Sequence, residues 1–390
     1  MERKANNSAD MKRKNRGLLM RMIREGNMSR AELARKAGLT RAAVTVIVDG
    51  LMKEEIVLEG ETASSDVGRR PIMLKINPEA RFAAGVDISM NGVSVGITDI
   101  GGKVIAKNFL RYDEEREDLQ QYSEELVVWI AGQITEMIAE HRIPTEKNLG
   151  IGVSAPGPID SAGGRILDAP HLKVWKGFEI VKALEERLGM KVFLEKDANV
   201  MALAEKNNRA MTDNFLFIIG DNGLGGGFIK KGRLYRGTGG FGSEIGHISI
   251  KYDGEKCRCG NRGCAELYAS IPSLLKQARK NGLPVSEWSE LVDMAYDGNE
   301  AAGEMIAYAA DMLAITCVNA SNVIEPEQIV LGGKFAYRAE QLAEMIEKRI
   351  AETAMTRKYH HIGVEASVLP KDADLSAAAG LAIEKFFLLG

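Results

Sequence analysis

Three of the four cysteines fall within eight residues, as Cys257-Arg258-Cys259-Gly260-Asn261-Arg262-Gly263-Cys264, shortly after His247. Three thiolates and one imidazole make the ligand set of a closed tetrahedral zinc site. His247, Cys257, Cys259 and Cys264 therefore read as the ligands of one Zn2+, with Gly260 and Gly263 letting a short loop turn back so that the sulfurs meet. The plainer alternative is a set of reduced surface thiols. A disulfide is disfavoured, because nothing else marks the chain as secreted. Cys317 lies in an apolar helical stretch and reads as a buried filler. Glu244 and Glu266 flank the cysteine loop, so the metal is expected to brace a polar pocket.

Further polar groups end apolar runs upstream. Leu149–Val153 reads as a buried strand followed by Ser154-Ala-Pro-Gly157-Pro158. Val192–Leu194 reads as another, ending at Glu195-Lys196-Asp197-Ala198-Asn199. Carboxylates and glycine loops at the C-terminal ends of strands are where open α/β sheets bind small ligands. The second half of the chain repeats the pattern: strand Phe215–Ile219, a glycine-rich turn from Gly220 to Gly227, helix Ala301–Asn322, strand Gln328–Leu331 with Gly332-Gly333, and helix Ala339–Glu352. Two α/β lobes with a cleft between them are the simplest arrangement.

A chain of 390 residues exceeds one ordinary core and implies two or three domains. No run of about twenty apolar residues occurs, so no membrane span is expected. The N-terminus lacks the apolar core of a signal peptide, and with few cysteines this points to the cytoplasm. The net charge of −3 is unevenly spread. The first 75 residues carry 16 Lys and Arg against 10 Asp and Glu, whereas the remainder is acidic. A basic head on an acidic body suggests that the head alone meets a polyanion.

The head has its own pattern. Leu18, Leu19, Met22 and Ile23 share one helix face over residues 16–25. Ser29-Arg-Ala-Glu32 is a capping box opening a second short helix. Gly38-Leu39-Thr40 turns into a third, from Arg41 to about Glu54, with Val44, Ile47, Val48 and Leu51 inward. Two helices around a glycine turn form a helix-turn-helix signature; a generic three-helix bundle is the alternative. Thr40, Arg41, Ala42, Thr45 and Val46 sit at the exposed end of the third helix, with side chains suited to base edges and thymine methyls. Ile56–Leu58 and Ile72–Ile76 read as strands of a wing, whose Arg69-Arg70 suits a narrow minor groove or phosphate. A solvated linker is the competing reading of that segment.

The order of these features resembles the ROK family, which groups bacterial sugar-responsive repressors with sugar kinases. It runs from helix-turn-helix through Ser154-Ala-Pro-Gly-Pro158, Asp197-Ala-Asn199, the glycine-rich hairpin, Glu244-Ile-Gly-His247 and the cysteine run closing on Glu266, to Leu331-Gly-Gly333. The resemblance covers nearly the whole chain and implies a winged helix-turn-helix domain over residues 1–76. It further implies a two-lobed, actin-like ATPase (ribonuclease H-like) ROK domain. Residues 81–194 with 373–390 would form the first lobe, and 195–372 the second, zinc-bearing lobe.

The resemblance assigns sugar contacts to Gly157, Asp197, Glu244, His247 and Glu266, with Asp197 the general base in the kinase branch. Carboxylates suit this task because sugar hydroxyls are donors and ionised carboxylates acceptors. Asp197 could instead cap the following helix, and Glu266 could be a structural ion-pair partner. Three departures bear on activity. Asp87-Ile-Ser-Met-Asn91-Gly92 replaces the kinase-type Asp-x-Gly-Gly-Thr loop, and Asp221-Asn222-Gly223 replaces a Gly-Thr-Gly loop. Lys196 stands where sugar-binding relatives have Asn. Loss of both phosphate loops argues against catalysis, so no catalytic residue is assigned unless Asp197 serves a kinase. The resulting expectation is a sugar-responsive regulator of operator DNA, a repressor, acting as a homodimer or dimer of dimers. Two half-sites would lie about 34 Å or a multiple apart, and sugar would bias lobe closure. The rivals are a sugar kinase with an added head, and a regulator that answers to a partner protein with its sugar pocket vestigial.

Overall fold

The computed structural model describes residues 8–62, 71–168, 172–208, 211–370 and 372–389. The chain forms two compact units. One comprises Met1–Ala155, Ser161–Glu195 and Leu375–Gly390, and the other Pro156–Asp160 and Lys196–Asp374.

In the first unit, the N-terminal helix spans Ser8–Glu25. It starts earlier than the apolar spacing predicts, because the added turns are polar (Lys12, Arg13, Lys14) and leave no apolar stripe to read. Helix Arg30–Ala37 is capped by the expected box: the Ser29 side chain accepts from the Glu32 amide, and Glu32 accepts from the Ser29 amide. It ends at Gly38 in the left-handed region, φ 65°. Helix Arg41–Lys53 is capped by Thr40, which accepts from the Ala43 amide, and buries Val44, Ile47, Val48 and Leu51. A three-stranded sheet follows in the order Met28–Ser29, Ile72–Ile76, Val57–Thr62.

The core of these elements does not close on itself. Leu19, Ile23, Leu33, Val48 and Leu51 are continuous with Ala379, Ile383 and Phe387 of the C-terminal helix, Ala373–Leu389. The same unit holds a five-stranded sheet in the order Val192–Lys196, Asn148–Ala155, Phe82–Ile88, Gly92–Asp99, Val104–Arg111. Its centre packs tightly on the C-terminal helix. A β-carbon on Gly152 would stand 1.8 Å from the Ala378 carbonyl oxygen, so only glycine fits there.

The second unit is built on a sheet in the order Arg233–Tyr235, Leu224–Lys230, Phe215–Gly220, Gln328–Gly333, Gly363–Ala366. Phe215–Gly220 pairs antiparallel with the glycine-rich strand and parallel with Gln328–Gly333. Helix Glu300–Ile324 is long and apolar enough, by length and composition, to cross a membrane. Here it is a core helix: Met305, Ala309, Leu313 and Cys317 are buried against Leu274, Leu291 and Ile346. Cys317 is fully buried, in line with its apolar surroundings in the sequence. Helices Ile271–Lys280 and Trp288–Tyr296 were not apparent from spacing. Both are short, and the first begins on a Pro at its first turn.

Candidate functional site

The cysteine loop is a knuckle held by its own backbone. The Cys257 amide donates to the Asn261 carbonyl at 2.8 Å, and the Gly260 amide to the Cys257 carbonyl at 3.0 Å. Gly260 and Gly263 have φ of 97° and 63°, the conformation their spacing called for. His247 closes the short 3-10 turn Ile245–His247. Its Nδ1 lies 3.8 Å from Cys257 Sγ, and Cys259 Sγ lies 3.6 Å from Cys264 Sγ. All four donor atoms lie within 4.8 Å of one another. Among the described residues, no other group of three or more His, Cys, Asp or Glu side chains is so disposed. A tetrahedral ion with bonds of about 2.3 Å separates its sulfur ligands by about 3.8 Å, so the cluster is able to hold a metal ion of that geometry. Burial pushes the Cys264 thiol up to about 12, so the thiolate form needs a cation beside it.

The same unit gathers the carboxylates. Lys196 ends strand Val192–Lys196 and Asp197 opens helix Asp197–Asn208. Asp197 Oδ1 accepts from the Ala198 amide at 2.6 Å, an amide of the helix's first turn. Burial, countered by that bond and by Lys196, raises the Asp197 carboxyl to about 6. Lys196 Nζ lies 2.8 Å from Glu244 Oε1 and donates to the Gly242 carbonyl at 3.3 Å. Its stem crosses the Gly157 loop, so that a β-carbon on Gly157 would lie 3.2 Å from Lys196 Cδ and 3.8 Å from Glu244 Oε1. Glu266, the first residue of helix Glu266–Ala269, accepts from the Leu224 amide at 3.3 Å and pairs with Arg258 at 3.3 Å. Glu266 is therefore an ion-pair partner, as the alternative reading had it, and it lies beside the cysteine loop. Arg258 was not singled out from sequence, although it stands between two cysteines of the motif.

Asp221 and Asp374 form a second acidic pair near Asp197. Burial, reinforced by Asp374, raises Asp221 to about 7, and burial also raises Asp374. Asp374 gave no signal in the sequence, because it lies far along the chain from its partners. The Asp221 carboxylate overlies Gly333: a β-carbon there would stand 2.7 Å from Asp221 Oδ2. In the first unit, the Asp87–Gly92 segment closes as a simple hairpin turn. The Ser89 amide and hydroxyl both donate to the Gly92 carbonyl, at 3.0 and 3.1 Å.

In the head, Thr40, Arg41, Ala42, Thr45 and Val46 are all exposed. Val46 is 63% exposed, unusual for a large apolar side chain. Thr40 is engaged as the helix cap, and the Thr45 hydroxyl donates to the Arg41 carbonyl at 2.9 Å. Arg69 and Arg70 lie outside the described residues.

Comparison with known proteins places this geometry in a family. The ROK family model matches residues 90–385. The xylose repressor of Bacillus spizizenii is 30% identical over 379 residues, covering 95% of this chain and 94% of the relative. A crystal structure of a ROK family transcriptional regulator, homologue of the E. coli MLC protein, superposes with a TM-score of 0.79 at 24% identity, covering 97% of this chain and 98% of that one. The ROK hexokinase of Thermus thermophilus superposes with a TM-score of 0.63 at 26% identity, covering 76% of this chain and 96% of that one. The chain belongs to the ROK family, and its body has the actin-like ATPase-type fold of that family.

Proposed function

We propose that this chain is a sugar-responsive transcriptional regulator, a repressor of carbohydrate-metabolism genes. Its head is a winged helix-turn-helix that reads operator DNA, and its second unit binds the sugar effector. The observation that carries the reading is the helix Arg41–Lys53, which buries one face in the head and leaves Arg41, Ala42, Thr45 and Val46 exposed at its N-terminal end. Arg41 and Thr45 supply hydrogen bonds to base edges, and Ala42 and Val46 supply apolar contact. The relative named a xylose repressor matches over the head as well as the body, which supports the same assignment. One such helix reads few bases, so a symmetric dimer, alone or paired again, is needed for specificity.

Zinc held by His247, Cys257, Cys259 and Cys264 would fix the loop between Glu244 and Glu266. Asp197, Glu244 and Glu266 then accept sugar hydroxyls, and Gly157 keeps its loop close to them. With His247 Nδ1 turned towards Cys257, its Nε2 is left to donate to a hydroxyl. Sugar binding shifts the population between DNA-competent and incompetent states.

Phosphoryl transfer is not part of this reading. The Ser89 amide and hydroxyl are engaged by the Gly92 carbonyl, and the Asp221 carboxylate overlies Gly333, where its charge would oppose a triphosphate; both features support a site without phosphoryl transfer. ADP production by the full chain with ATP, Mg2+ and a panel of sugars tests the point. A background rate supports the regulator, whereas sugar-dependent turnover at about 1 per second or faster restores the kinase.

A further inference from the structure

We propose that the cysteine knuckle is also an oxidation site, in which Cys259 reacts with a peroxide and Cys264 closes the disulfide; this rests on the zinc reading above. Cys259 is exposed, whereas Cys257 and Cys264 are buried. A reagent arriving from solvent therefore meets Cys259 before the other two. Cys259 Sγ and Cys264 Sγ stand 3.6 Å apart and must close to about 2.05 Å to bond. The residues between them, Gly260-Asn261-Arg262-Gly263, begin and end on glycines with positive φ, so this turn adjusts at low cost. Cys257 is a poorer partner for Cys259. Its amide donates to the Asn261 carbonyl at 2.8 Å, and its carbonyl accepts from the Gly260 amide at 3.0 Å. Cys264 is steadied from its other side. The Ala265 amide donates to the Ile248 carbonyl at 2.9 Å, and the Ile250 amide to the Gly263 carbonyl at 2.8 Å. The bridge therefore forms by a shift of the turn that carries Cys259, within a knuckle that stays folded.

The chemistry balances with hydrogen peroxide as the oxidant. The Cys259 thiolate attacks one peroxide oxygen, the O–O bond breaks, and a sulfenic acid and a hydroxide result. The Cys264 thiolate then attacks the Cys259 sulfur, forms the S–S bond and displaces a second hydroxide. The electron pair lost by the two sulfurs is the pair that reduces the peroxide, and solvent protons turn both hydroxides into water. Both sulfurs thereby cease to be anionic ligands, and His247 with Cys257 is too small a set to keep a closed four-ligand zinc site. Cys264 is followed by Ala265 and Glu266, and His247 comes three residues after Glu244. Loss of the brace therefore slackens the loop that carries both carboxylates. In reducing surroundings such a bridge is transient, returned to thiols by exchange with a dithiol.

The test treats the reduced, zinc-loaded full chain with an excess of hydrogen peroxide and follows zinc release with a chelating dye. Remaining thiols are then alkylated, and peptide mass mapping locates the bridge. A parallel sample holds dimedone from the start, to trap the sulfenic acid where it forms. The bound zinc should be lost, the bridge should join Cys259 to Cys264, and the dimedone adduct should fall on Cys259. Dithiothreitol followed by Zn2+ should restore the thiols and the metal. Cys317, fully buried in the core of the second unit, should remain a thiol, and Cys317→Ala should respond as the wild type does. Zinc and thiols retained under peroxide, or an adduct or bridge on Cys257 in place of Cys259, overturns the inference and leaves the zinc reading standing. A chain that carries no zinc yet forms the Cys259–Cys264 bridge overturns the zinc reading alone. Neither zinc nor bridge overturns both.

Discussion

Arg21 Nη1 donates to the main-chain carbonyl of Phe387 at 3.0 Å, joining the first helix of the chain to the last. Arg24 reinforces the junction, with its guanidinium 4.4 Å from the Phe387 ring centroid and 3.2 Å from Glu384. The head is therefore held on the C-terminal helix by apolar burial, a cation–π contact and a half-buried ion pair, all within one compact unit. Phe387 is fully buried. Phe387→Ala is expected to destabilise the first unit by about 3–5 kcal/mol and to weaken DNA binding. Thermal unfolding and DNA titration check this; unchanged values in both would show that the head stands independently of the C-terminal helix.

Metal removal should act on the second unit. Elemental analysis of protein purified without chelator is expected to find one zinc per chain. Closed zinc sites contribute roughly 10 kcal/mol or more of apparent binding energy, so Cys259→Ser should loosen the loop carrying Glu244 and Glu266 and abolish the sugar response. Because the head folds in the other unit, DNA binding should survive. Zinc-free protein with an intact sugar response contradicts this.

In the head, Arg41→Ala and Thr45→Ala are each expected to relax base preference by about 1–3 kcal/mol. Arg69→Ala and Arg70→Ala should weaken binding with little change of preference and flatten its salt dependence. Competition binding on operator variants at several salt concentrations distinguishes the two classes.

The acidic cluster sets a pH dependence. Burial, with Asp374 alongside, holds Asp221 at about 7, against 3.8 ordinarily, and Asp197 is raised to about 6. Between about pH 4 and 7 the folded chain thus keeps protons that the unfolded chain has released. These groups' favourable contribution is complete below about pH 4 and is lost as pH rises through about 6 and 7. Asp221→Asn removes the charged form. Its stabilising effect should be larger at pH 8 than at pH 5.5 by about 2 kcal/mol, read from denaturant unfolding at the two pH values. An effect equal at both would show that Asp221 titrates as an ordinary carboxylate.

Local patterns in the sequence were the legible ones. The capping box Ser29–Glu32, the turn at Gly38 and the buried stripe Val44–Leu51 are set by neighbours a few residues away, and each is present in the fold. The His247–Cys264 knuckle was legible for the same reason, since its ligands lie close along the chain. Partnerships across long separations were not. Asp374 beside Asp221 and Phe387 beneath Arg21 are created by the return of the C-terminal helix, and no periodicity announces them. Lys196 was visible as a departure from its relatives, but its pairing with Glu244 depends on how two distant loops meet. Asp197 and Glu266 also have structural contacts: one accepts from a first-turn helix amide and the other holds Arg258. Carboxylate oxygens have lone pairs enough to do this and still accept a hydroxyl.

The central claim, that one chain couples sugar to DNA, is tested most directly on Asp197. The measurement is sugar-dependent release from a duplex selected by the full chain out of a random pool, followed by fluorescence anisotropy for wild type and Asp197→Asn. The substitution is nearly isosteric, and its amide oxygen can still accept from the Ala198 amide. It replaces a charged acceptor with a neutral one, at a cost of about 1.5–3 kcal/mol, or about ten- to hundred-fold in sugar affinity. The account predicts that both proteins hold the selected duplex equally without sugar. An effector that releases the wild type should then leave Asp197→Asn bound until its concentration is about ten- to hundred-fold higher. Release of both proteins at the same sugar concentration, or no sequence enrichment from the pool, would contradict it.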